Sequence, residues 1–123
     1  MVICMTLLEC YKKLGGDYRN AVTRLMNDKL VQKFLFKFLD DLSYNTLAKA
    51  FNAGNYDEAF RASHTLKGIS QNLGFTSLYK SSEKLTEALR SKDTEVAAEH
   101  FKQVTADYEK AIATIKEYKA ELK

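Results

Sequence analysis

The sequence predicts an all-α fold: an antiparallel up-and-down four-helix bundle with two short N-terminal helices covering one end. Three observations carry that prediction. The chain contains no proline, so long helices can run without a break. Apolar residues recur at three- and four-residue spacing along most of its length. The few glycines and cap-type residues fall between these periodic stretches, where helices would start and stop. At 123 residues there is room for a single domain, read as N-terminal helices over 1–26 and a bundle over 27–123.

The first segment carries Leu7, Leu8, Tyr11 and Leu14 and is stopped by Gly15-Gly16. Asp17 caps a second short helix that reaches about Met26. Asn27 or Asp28 opens a third segment, where Leu30, Phe34, Phe38 and Leu42 recur every four residues beside Val31, Leu35 and Leu39. Tyr44, Leu47, Ala48 and Phe51 continue the pattern. Read straight through, this is one helix ending before Gly54, about 39 Å long at 1.5 Å per residue, with room for a bend near Ser43. Phe36 falls off the stripe and is expected either to meet the N-terminal helices or to stand exposed as a contact residue.

Asn55, with Glu58 three residues on, resembles a capping box opening a fourth helix that runs to Leu73 and ends at Gly74. A fifth helix starts near Thr76 or Ser77 and points Leu78, Ser82, Leu85 and Leu89 inward. After the turn at Ser91-Lys92-Asp93, Asp93 caps the last helix, whose heptad-like stripe is Phe101, Val104, Tyr108, Ala111, Ile115, Tyr118 and Leu122. The short connections make successive helices antiparallel neighbours.

Composition removes several function classes. No apolar run is long enough to span a membrane, and the apolar start lacks the basic lead-in of a signal peptide, so a cytoplasmic protein is expected. A net charge of +3 from 19 basic and 16 acidic residues is too mild to argue for nucleic acid. Cys4 and Cys10 fit neither a redox nor a zinc pattern and are read as incidental. Phosphate-cradling glycine motifs and the ExxH pairs of metal-binding bundles are missing, so neither an ATP site nor a bound metal or cofactor is expected.

What is left is one histidine. On a wheel centred on Leu66, Ala59, Ala62, Ile69 and Leu73 lie within about 60° and form the buried face. His64, Lys67, Gly68 and Gln71 fall roughly 100° to 200° away, toward water. An exposed imidazole is largely neutral at pH 7 and nucleophilic. Lys67 adds positive charge one turn on. Gly68 costs a helix about 1 kcal/mol relative to alanine, so a packing or functional reason is expected for it. No acid stands near to complete a hydrolytic triad. The site is suited to accepting a group and poorly suited to hydrolysing one. His100, without ligand-spaced partners, is read as a surface or boundary residue.

The run Ala62-Ser63-His64-Thr65-Leu66-Lys67-Gly68, followed by Asn72-Leu73-Gly74, resembles the HxxKG signature of histidine-containing phosphotransfer (HPt) domains, the four-helix-bundle intermediates of two-component phosphorelays. The likeness extends from about Asn27 to Arg90; the last helix matches in length and pattern only. The resemblance implies that His64 is phosphorylated through Nε2, that Lys67 stabilises the phosphoryl group and that Gly68 gives the partner access. It places Thr86 where some members carry a glutamine that bonds the imidazole; the threonine is shorter in reach. Arg90 matches a basic position near the site, and Gln71, larger than the usual residue there, is expected to touch partner or phosphate. Ile69 is a departure from the small residue common at its position.

The implied chemistry is transfer from a receiver-domain phosphoaspartate to His64 and on to another receiver. Mg²⁺ is expected on the receiver and no cofactor on this chain. Arg61, Lys67, Lys80, Lys84 and Arg90 would rim an acidic receiver pocket. Response-regulator receivers, and through them a hybrid histidine kinase, are the expected partners; a stand-alone monomer that binds neither nucleic acid nor membrane is the expected form. The alternative is a non-phosphorylated helical adaptor using the same surface.

Overall fold

The computed structural model describes residues 5–122. The sequence reading of Cys4 lies outside them. Among the described residues there are seven helices and no strand: α1 (Leu7–Leu14), α2 (Tyr18–Leu25), α3 (Asp28–Phe38), α4 (Ser43–Asn52), α5 (Tyr56–Leu73), α6 (Thr76–Arg90) and α7 (Thr94–Glu121). None of them is long and apolar enough to cross a membrane.

Most helix starts follow from local chemistry. Asp17, Asn27, Asn55 and Asp93 each accept a hydrogen bond from the backbone N–H three residues on, which satisfies an otherwise orphaned donor. The box expected at Asn55 is only half formed. The Glu58 carboxylate accepts from the Asn55 side-chain amide rather than from its backbone N–H. A complete capping box stands instead at Thr6 and Glu9.

One expected helix is two. The segment read straight through from residue 27 to 53 breaks between Phe38 and Ser43. The N–H groups of Leu39, Asp40 and Asp41 turn to carbonyls three residues back, and the Asp41 carboxylate accepts from the Ser43 N–H at 2.8 Å. An aspartate that bonds the backbone locally competes with the helical ladder and restarts the helix on a new axis. The stripe shifts with it. Val31, Leu35 and Phe38 are the buried residues of α3, whereas Leu42 is 66% exposed. At the far end of the chain Leu122, beyond the end of α7, is likewise exposed.

Packing proceeds between neighbours in the chain, α4 on α5, α5 on α6 and α6 on α7. Rings tie α4 to α7: Tyr44 stacks on Tyr108 at 4.1 Å and Phe51 on Phe101 at 4.6 Å between centroids. Phe36 is half-buried rather than exposed and meets α7, tilting against Tyr118 with the Lys119 ammonium over its face.

The N-terminal pair is fastened to the turn between α5 and α6 by backbone. Asp17 N–H donates to Gly74 O at 2.7 Å, Ser77 N–H donates to Gly15 O at 2.9 Å, and the buried Tyr11 hydroxyl donates to Leu73 O at 2.7 Å. A side chain at Gly16 would stand 2.8 Å from Gly74 O, and one at Gly74, whose φ is +72°, 2.8 Å from Asp17 O. Glycine is what lets these two backbones meet. Elsewhere α1 lies against α7, and α2 against α3 and α5.

Candidate functional site

Helix α5 carries the site because its two faces differ. Ala59, Ala62 and Leu66 are buried, and Ile69 is half-buried against the core. On the opposite side His64 and Gln71 are exposed, while Lys67 and Gly68, one turn beyond His64, are half-buried. The periodicity of α5 therefore puts the imidazole in water, four residues from the nearest glycine on its own face.

Gly68 has no structural reason inside the molecule. A Cβ built on it meets no heavy atom within 4 Å, so open space lies outside the helix there. This contrasts with Gly16 and Gly74, where backbone approaches closely. The ion pairs among the described residues join Lys13 to Glu117, Arg90 to Glu87 and Lys102 to Glu99, leaving the Lys67 ammonium and the Arg61 guanidinium unpaired beside His64.

Behind this face α5 and α6 meet through small polar residues, Ser63 and Ser70 from one helix and Ser82 and Thr86 from the other, all buried. Their size lets the helices come close. The Thr86 hydroxyl donates to Ser82 O at 2.7 Å and shares a 2.7 Å hydrogen bond with the Ser63 hydroxyl. The hydroxyls of Ser70 and Ser82 have no partner.

Two expected flanking residues are elsewhere. Thr86 is fully buried and its hydroxyl is engaged within the α5–α6 seam, so it neither bonds the imidazole nor touches a visitor. The rotation of α6 that brings Thr86 to Ser63 is the cause. Lys84 lies on the other side of α6, lining a groove with Val96 and His100 of α7. The direction of its side chain follows from its place about 100° behind Leu85.

Arg90 is related to His64 through Phe60. Its guanidinium stands over the Phe60 ring, 5.0 Å from the centroid, and the Phe60 ring lies nearly parallel to the His64 imidazole, 14° between planes with 6.3 Å between centroids. Phe60, Arg61 and Arg90 line a groove of about 650 Å³ between the start of α5 and the end of α6. Sequence reasoning passed over Phe60. Its signal was an aromatic residue one turn before His64, off the apolar stripe and next to Arg61.

A helical bundle that offers one imidazole to water on a face cleared by glycine defines a class of module that docks partners or carries a group between them. A family model, the Hpt domain, matches residues 29–114, from α3 into α7, and the chain belongs to that family. Comparisons with curated proteins and with solved structures found no match. Hpt domains act in phosphotransfer of two-component signalling, as phosphocarriers rather than kinases, and interact with receiver domains and kinases.

Proposed function

We propose that this chain is a phosphorelay intermediate in which His64 takes a phosphoryl group from a receiver aspartate and hands it to another. One observation carries the reading: an exposed imidazole with an unpaired lysine three residues on and a glycine four residues on that faces only open space.

In this reading the neutral imidazole carries its proton on Nδ1 and attacks phosphorus with the Nε2 lone pair. The N–P bond forms as the bond from phosphorus to the aspartate oxygen breaks, and the carboxylate leaves with the electron pair. Positive charge appears on the ring and is offset by the phosphoryl group. Lys67 and Arg90 favour the anionic group, Gly68 admits the receiver surface, and Gln71 and Arg61 lie on the face it covers. The receiver would bring the Mg²⁺. Positioning and fixed charge are the whole of this chain's contribution, as in-line phosphoryl transfer requires.

The scaffold is read as an up-and-down antiparallel bundle of α4 to α7, with α3 leading into α4 and α1 and α2 over one end. Support comes from the reversals that two- and three-residue connections impose between packed neighbours. A cytoplasmic monomer fits the core, against which the half-buried apolar residues pack.

The test incubates the protein and His64→Gln with receiver domains charged by acetyl phosphate. Acid-labile, base-stable label on the wild type and none on a folded His64→Gln is the expected result. Label that persists on His64→Gln, or none on the wild type across a broad receiver set, overturns the assignment, the latter in favour of an adaptor.

A further inference from the structure

Phe60 has no role in the reading above, yet its placement is specific. It sits one turn before His64 on α5, half-buried, with its ring nearly parallel to the imidazole. Arg90, the last residue of α6, lays its guanidinium over that ring at 5.0 Å. The other contact of Arg90 is a 3.3 Å ion pair with Glu87, in which both side chains are more than half exposed. Pairs of that kind hold a long side chain only loosely. The aromatic face therefore shares in setting the direction of Arg90.

We propose that Phe60 is a positioning residue for transfer through His64: its ring flanks the imidazole and holds Arg90 on its face, from which a second cation joins Lys67 at the phosphoryl group. This rests on the carrier reading of His64. The physical logic is pre-organisation. A free arginine at a helix end samples many rotamers, and each must be given up when an anion arrives. A guanidinium resting on a ring keeps its charge exposed and its reach short. The contact is also weak enough to yield, because a cation over a ring that water still reaches is held much less firmly than one in a dry site. Phosphate contact recruits the cation without first breaking a strong pair. The groove lined by Phe60, Arg61 and Arg90 leaves the guanidinium open to a visitor.

The experiment compares wild type, Phe60→Leu, Phe60→Tyr, Arg90→Gln and the Phe60→Leu/Arg90→Gln double variant, each checked for folding by circular dichroism. Single-turnover transfer from a charged receiver domain is measured, together with the affinity for the uncharged receiver. Phe60→Leu is expected to slow transfer roughly 3- to 10-fold at saturating carrier, with receiver affinity unchanged. Phe60→Tyr, which keeps a flat face, restores the rate. Adding Phe60→Leu to Arg90→Gln produces no further loss. Equal rates for Phe60→Leu and wild type, or multiplying losses in the double variant, overturn the role of Phe60 while label on His64 leaves the carrier reading standing. An unlabelled wild-type histidine overturns both.

Discussion

Replacing Gly68 by alanine should make the protein more stable and a worse carrier at once. Gly68 is inside α5, and an added methyl meets nothing within 4 Å. No steric cost opposes the change, so helix propensity decides its sign. Alanine is favoured over glycine in a helix interior by about 0.5–1 kcal/mol, mainly because the unfolded chain has less freedom to lose. For a domain of this size that is a rise in melting temperature of about 2–4 °C. The same methyl projects from the face that carries His64. If a receiver packs there, overpacking an interface by one carbon costs about 1–3 kcal/mol, or roughly 5- to 150-fold in transfer efficiency. Thermal unfolding followed by circular dichroism reads the first effect, and single-turnover transfer from a charged receiver reads the second. The opposite signs separate the interpretation from partial unfolding, which would lower both. A lowered melting temperature would refute the open space outside α5; an unchanged transfer rate would refute the approach of a partner to this face.

Two further outcomes follow. Thr86→Val keeps the shape of a buried side chain and removes its hydroxyl from Ser82 O and Ser63, which should cost about 1 kcal/mol of stability and leave transfer within two-fold of wild type; a large loss of transfer with normal stability would return Thr86 to the site. Burial, with the Glu117 charge adding to it, lifts the Cys10 thiol from 9.0 to about 11. A folded-state value above the unfolded one means the native state holds the proton longer. Its contribution is therefore complete below pH 9 and lost as pH rises toward 11, by about 2 kcal/mol. Burial also raises the Tyr11 phenol and adds to the decline at higher pH. Urea unfolding of Cys10→Ala between pH 7.5 and 10.5 should show a flatter fall than wild type, and parallel curves would contradict the assignment.

Much of the architecture was legible because its causes are local. Caps at Asp17, Asn27, Asn55 and Asp93 act within four residues, and so do the left-handed ends at Gly15 and Gly74. The exposure of His64 and the burial of Leu66 follow from 3.6-residue periodicity alone. The break after Phe38 was local too, yet apolar spacing ran through it. Asp40-Asp41 was the contrary signal, since a carboxylate that can bond the backbone two residues on interrupts a helix whatever its neighbours' hydropathy.

By itself, then, the chain order determined where helices begin and which side of α5 meets water, because backbone capping and side-chain alternation need no distant partner. Only the tertiary structure decided how α6 is turned against α5. That rotation buries Thr86 in a hydroxyl seam, sends Lys84 toward α7 and lays Arg90 on Phe60, whose ring flanks the imidazole. It depends on how closely two rows of serines allow the helices to approach, a property of both surfaces at once and of neither sequence segment alone.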